Sequence, residues 1–169
     1  NRDSSNTSHK LYDTERGGGK SISSDSNATQ VQEGGTMGTI GLATFNTTGF
    51  STGMIDSTNK QDDNFTAWSF RRASGFFDVV TWTHGSSANS NRRISHNLGS
   101  VPGMIIVKRT NSSDPWYVYH RKLEGAAYGG GYSTDPTKFY VNLNTTGTTA
   151  TTHYGSGSGS WWGDSAPTS

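Results

Sequence analysis

The sequence predicts an all-β fold, an antiparallel β-sandwich built from tandem related units. Three observations carry that prediction. The densest apolar sequence, Phe76 to Tyr119, breaks into short β-branched and aromatic runs bounded by turn residues. No window of helical length shows an apolar period of 3.6, and glycine interrupts every candidate. The third is an internal repeat, with strands and glycine-rich loops recurring in the same order.

Within the dense stretch, Phe76 to Thr83 reads as a strand closed by His84, Gly85 and two serines. Met104 to Arg109 is a second core strand, begun abruptly by Pro102 and Gly103 because proline cannot donate to a ladder. Trp116 to His120 follows the turn-forming run Asn111 to Pro115, which makes a hairpin with a wide tip.

From the beginning, His9 to Tyr12 is a short strand and Gly17 to Gly19 a turn. Lys20 to Ser23 reads as an edge strand followed by loop to Glu33. Thr39 to Phe45 and Gly49 to Ser51 flank the turn Asn46 to Thr48, as in a hairpin. Gly53 to Asp63 is a polar connection. Asn64 to Arg71 alternates, with Thr66, Trp68 and Phe70 on one face, so Trp68 and Phe70 are expected in the core. Leu123 to Asp135 is a glycine-rich, tyrosine-bearing loop. In Lys138 to Asn144, Phe139, Val141 and Leu143 are expected inward and Tyr140, Asn142 and Asn144 outward. Thr145 to Ser160 is an exposed excursion closed by Trp161 and Trp162. Cohesion should come from alternating side chains such as Trp68, Val79, Ile106 and Val141, buried on antiparallel ribbons.

Composition narrows the function classes. Apolar content is 29% and charged content 16%, which argues against disorder driven by charge repulsion, and Gly, Ser, Thr and Asn fill the difference. Five Trp, seven Tyr and seven Phe must then supply a thin core. The absence of cysteine removes disulfides and thiolate metal sites. A net charge of +1 without a basic run gives no electrostatic reason for a nucleic-acid partner, and no apolar run is long enough for membrane insertion by a helix. Beginning at Asn1 and ending in a polar tail at Ser169, the chain reads as a segment of a longer protein.

The repeat places Asn1 to Tyr12 over Lys108 to Tyr119, an offset of 107, with Arg2 on Arg109, Ser5 on Ser112 and Tyr12 on Tyr119. The same grammar follows in both copies: a strand, a glycine-rich loop (Gly17 to Gly19; Gly129 to Gly131), then a lysine opening a short strand (Lys20; Lys138). A period of this size means tandem β units of domain size rather than a short-period solenoid.

The phrases DTERGGGK (Asp13 to Lys20), FNTTGFSTG (Phe45 to Gly53), NFTAWSFR (Asn64 to Arg71), FFDVVTWT (Phe76 to Thr83), ISHNLGSVPGMIIVKR (Ile94 to Arg109) and WWGDSAPTS (Trp161 to Ser169) resemble a repeated β module. That module occurs in tail-fibre-like virion structural proteins of marine bacteriophages, notably cyanophages. The resemblance covers nearly the whole chain. It implies that residues 1–75 are the later part of one unit and residues 76–169 the earlier part of the next. It also implies a virion location, a homo-oligomer (a trimer by analogy with fibres) and contacts with other virion proteins. The Thr145 to Ser160 excursion and the doubled tryptophan depart from the pattern. The resemblance transfers no catalytic residue.

Chemistry-bearing residues are sparse. A glycosidase needs two carboxyl groups about 5 to 10 Å apart, and Asp56, Asp62, Asp63, Asp78 and Glu124 offer no persuasive pair. Asp78 interrupts an apolar strand; its ordinary role is to face solvent or to bond to a neighbouring loop. His9, His84, His96, His120 and His153 lack the spacing of a zinc site. Asp62, Asp63 and Asn64 could offer oxygens to calcium, but read first as a turn. Gly17 to Lys20 lacks the spacing of a phosphate loop, and no Ser nucleophile elbow occurs. No metal or cofactor is expected.

Aromatic residues in polar loops are the better signal, because a sugar's CH face stacks on a ring while Asn, Ser and Thr bond its hydroxyls. Trp161, Trp162, Tyr154, Tyr128 and Tyr132 are the candidates for host-glycan binding; core closure or subunit contact is the competing use of Trp161 and Trp162. The reading is a non-enzymatic phage structural protein of a tail fibre or similar appendage. The alternatives are a tailspike polysaccharide depolymerase and a capsid-decorating or filament-forming protein.

Overall fold

Short antiparallel strands dominate the computed structural model, which describes residues 8–33, 41–83, 92–126, 131–146 and 151–152. The only helices among the described residues are one four-residue α-helix and one 3₁₀ turn. The all-β class therefore holds. The chain divides into two units, Asn1–Phe70 with Arg109–Pro115, and Arg71–Lys108 with Trp116–Ser169.

In the first unit, β1 (Lys10–Leu11), β2 (Lys20–Ser23) and β3 (Val31–Gln32) form an antiparallel sheet in that order. The β1 to β2 connection is a tied turn. Asp13 accepts from the backbone N–H of Arg16 at 2.8 Å and from its Nε at 2.5 Å, and Gly17 at φ 88° takes a left-handed conformation that a Cβ would strain. The Arg16 guanidinium also reaches the carbonyl of Leu11 and the side chain of Gln30, fastening the turn across the sheet. β2 is the central strand and not the edge strand predicted, because the chain turns back after Asp25 and β3 pairs with its other side. Ser21, Ile22 and Ser23 are all buried. β4 (Leu42–Asn46) and β5 (Gly49–Thr52) form the predicted hairpin, with Asn46 opposite Gly49, and a single helical turn, α1 (Asp56–Asn59), follows.

The second unit carries β6 (Met104–Val107), β7 (Tyr117–His120), β8 (Gly125–Ala126), β9 (Tyr132–Ser133), β10 (Phe139–Asn142) and β11 (Thr151–Thr152). The main sheet has the order β11-β10-β7-β6, and β8 and β9 form a separate small hairpin. Its core is Trp116, Val118, Tyr119 and Phe139, the last with no exposed surface. Tyr117 and Tyr140 meet edge to face at 5.1 Å on the side of the sheet opposite Val118 and Phe139. Asp135 opens the 3₁₀ turn Pro136–Lys138 by accepting from the N–H and hydroxyl of Thr137.

The two sheets share one register. β1 and β2 align Lys10 with Ser23 and Leu11 with Ile22; β7 and β10 align Tyr117 with Asn142 and Val118 with Val141. Ser24 donates to the carbonyl of His9, as Leu143 donates to that of Trp116. β2 and β3 align Lys20 with Gln32 and Ser21 with Val31, and β10 and β11 align Phe139 with Thr152 and Tyr140 with Thr151. The shift from β1 to β7 is the same 107 residues that superposes Tyr12 on Tyr119. β6, beside β7, has no counterpart beside β1 among the described residues.

Several expectations fail. Asn64 to Arg71 is not a strand, and Trp68 and Phe70 are 83% and 60% exposed rather than core. Alternation permits a strand, but beyond an isolated bridge at Phe65 the segment is not assigned to a ladder. Phe76 to Thr83 is not assigned as a strand either; among the described residues it carries a bridge between Ala73 and Phe77. Asp78 diverts that segment's main chain into a side-chain tie. Val79 and Val141 are half-buried, and Ile106 is exposed because β6 lies at the sheet edge. Leu143 is exposed just past the end of β10, where the pleat no longer directs it inward.

Candidate functional site

The most connected polar cluster lies in the first unit and centres on Glu33, just after β3. Its side chain is 4% exposed, and its two oxygens take three donors: Ser21 Oγ at 2.6 Å, Lys10 Nζ at 3.2 Å and the hydroxyl of Tyr12. These residues sit on β1, beside it, and on β2, so one carboxylate binds all three strands. Gly41 closes the cluster. It has φ 78°, and a Cβ there would stand 3.1 Å from Glu33 Cβ and 3.2 Å from the Tyr12 oxygen. Only glycine admits the chain that close.

Burial, the hydrogen bond to Glu33 and the charge of Glu33 push the Tyr12 phenol well above its usual 10. The phenol therefore stays protonated and donates, which suits a structural tie rather than a base. Ser21 has no exposed surface, so its hydroxyl is closed to a substrate. Sequence reasoning passed over Glu33 because it follows a polar stretch read as loop. A usable signal was the two-residue spacing of Val31 and Glu33, the mark of a strand.

A second tie forms in the other unit around Asp78. Its carboxylate is 3% exposed and accepts from Arg72 Nε at 2.6 Å, from the N–H of Val79 at 3.0 Å and from the N–H of Asn97 at 2.7 Å. Of the two ordinary roles expected for Asp78, the bond to a neighbouring segment is the one observed. The adjacent contact is reinforced by Gly75 N–H and Ser74 Oγ, which both donate to the carbonyl of Leu98. Glu124, the other acid weighed as part of a pair, is exposed and accepts from the Tyr132 hydroxyl. Asp62 occupies a left-handed turn conformation at φ 65°. Among the described residues no group of three or more His, Cys, Asp or Glu is placed to hold a metal.

Of the predicted glycan-binding residues, Tyr132 lies on β9 and is 68% exposed, its phenol pushed up chiefly by the hydrogen bond to Glu124. Trp161, Trp162, Tyr154 and Tyr128 lie outside the described residues. The feature that sequence reasoning missed is how much apolar surface the chain leaves open. Among the described residues fourteen large apolar side chains are exposed, including Met54 at 91% and Phe76 at 65%, against six buried ones. At β6 the exposure falls on the last strand of its sheet among the described residues. Met104 and Ile106 are exposed on the strand that ends the sheet.

Fold and geometry together define an all-β domain whose best-formed polar clusters tie strands and loops, and whose surface is rich in apolar side chains. The chain belongs to the DUF7483 family, a domain of unknown function, whose model matches residues 1–169. No curated protein and no solved structure matches it. No helix among the described residues is long and apolar enough to cross a membrane.

Proposed function

We propose that this chain is a non-enzymatic structural module of a bacteriophage virion, part of a tail fibre or similar appendage, which works by self-association. The carrying observation is the excess of exposed over buried large apolar side chains. Covering such side chains against other copies recovers roughly 25 cal/mol per Å² of apolar surface. Subunits with a thin core then gain stability from assembly. The shared register of the two sheets supports tandem related units, for which a sandwich is the architecture we propose, and the resemblance in sequence supports the virion setting. A trimer is the order of assembly that analogy with fibres suggests. Exposed rings such as Tyr132 offer stacking surfaces for host glycans, and many weak contacts on one particle add through multivalency.

The test is immunogold microscopy of purified phage particles with an antibody to this chain. Labelling on an appendage is expected. Labelling confined to the lysate and absent from particles would refute the reading.

A further inference from the structure

We infer that Trp82, Arg92 and Arg93 form a binding site for an acidic polysaccharide, one whose sugars carry carboxylates. The inference rests on the glycan-contacting role just proposed, and it adds a ligand class and a site other than Tyr132. Charge in this chain is unevenly placed. The stretch Arg71–Lys108 holds five basic residues against one acid, Asp78, a net charge of +4 in a chain whose total is +1. Asp78 is spent internally: its carboxylate is 3% exposed and is answered by Arg72 and by two backbone N–H groups. Among the described residues neither Arg92 nor Arg93 forms an ion pair, and both are exposed.

Hydrogen bonds bring these charges to an indole. Gly75 N–H donates to the carbonyl of Leu98 and Asn97 N–H to the carboxylate of Asp78, so the segments holding Asp78 and Asn97 lie side by side. At their far end Arg92 Nη1 donates to the carbonyl of Thr83 at 2.6 Å. The two segments are thus antiparallel, and the Arg92 guanidinium is anchored one residue from Trp82, which is 46% exposed. The anchor holds the guanidinium in place before a ligand arrives and uses only part of its set of N–H donors. The remaining donors, with those of Arg93, match the planar pair of oxygens that a carboxylate presents. The indole offers a flat apolar face to the CH face of the same sugar. An uncharged sugar would use only the stacking half of this site. A nucleic-acid strand would need several stacking rings along a longer basic track.

The test is biolayer interferometry of the full chain on immobilised polygalacturonate, with dextran as the uncharged polymer and oligothymidylate as the nucleic acid. Wild type should bind polygalacturonate, bind dextran about tenfold more weakly, and release the acidic polymer as salt rises. Arg93→Ala and Trp82→Ala, both at exposed positions, should each weaken polygalacturonate binding about tenfold, with circular dichroism reporting the fold. Arg93→Lys should lose less than Arg93→Ala, because it keeps the charge and gives up only the fork. Lys122→Ala removes an exposed charge elsewhere in the unit and should leave binding within about twofold of wild type. Wild-type protein that ignores polygalacturonate, or binds dextran equally well, overturns the proposal. Equal losses in Arg93→Ala and Lys122→Ala would reduce the binding to general charge attraction and overturn the site. Tighter binding of oligothymidylate, lost in the same variants, would make it a nucleic-acid site instead. These failures leave labelling of an appendage on particles untouched, whereas unlabelled particles with polygalacturonate binding intact would sink the virion reading and not the site.

Discussion

Replacing Glu33 by alanine should destabilise the first unit more than any surface change. The loss can be worked from its contacts. Ser21 has no exposed surface and would be left with its hydroxyl unanswered at the position where the carboxylate now stands 2.6 Å away. That alone costs roughly 1 to 3 kcal/mol. The Tyr12 phenol, half-buried, loses its acceptor as well. Lys10, with a side chain 17% exposed, can turn partly to water, so its share is smaller. The sum is about 3 to 4 kcal/mol, below the upper end for breaking a buried ion pair. In a chain of this size it lowers Tm by about 6 to 15 °C. Glu33→Gln keeps the shape and one acceptor oxygen, and should cost about half as much. Urea unfolding followed by circular dichroism measures both. A Glu33→Ala variant within about 0.5 kcal/mol of wild type would refute the role of the carboxylate as the tie of the sheet.

Gly41→Ala should cost about 1 to 3 kcal/mol, since φ is 78° and the new methyl meets Glu33; urea unfolding again reads it, and a neutral result would mean the chain can retreat there. Asp78→Ala should cost about 1 to 2 kcal/mol, chiefly by leaving the part-buried N–H of Val79 without its acceptor, since Asn97 is exposed to water and the exposed Arg72 contributes little; faster hydrogen exchange at the Val79 and Asn97 amides is the check. Tyr12 has a folded pKa raised above its unfolded value of 10, so its contribution is complete below pH 10 and is lost as pH rises beyond it toward the folded value. Alkaline unfolding should therefore be shallower in Tyr12→Phe than in wild type. Equal slopes would show that the phenol is not held by the cluster.

The legible parts of the fold were those that turn chemistry and the repeat could mark. Pro102 and Gly103 announced β6, and Asn46 to Thr48 announced the β4–β5 hairpin. The misread parts are those where a side chain's partner is remote. Trp68 and Phe70 alternate like core residues, yet both are exposed, and alternation in sequence cannot report which face, if either, is covered. Asp78 sits in a run that reads as strand, but its carboxylate captures the main chain of Val79 and Asn97. Lys20 to Ser23 looked like an edge because its serines are polar; they are buried because Glu33, ten or more positions onward, satisfies Ser21. Of the glycan-binding candidates only Tyr132 lies among the described residues, where it is exposed.

Self-association is the claim on which the functional account turns, and sedimentation equilibrium of the wild-type chain over a wide concentration range tests it most directly. The account requires a mass that rises with concentration to a multiple of 18.1 kDa, and a weaker rise for Trp68→Ala, since its exposed indole contributes contact area. A mass that stays at 18.1 kDa throughout would contradict it.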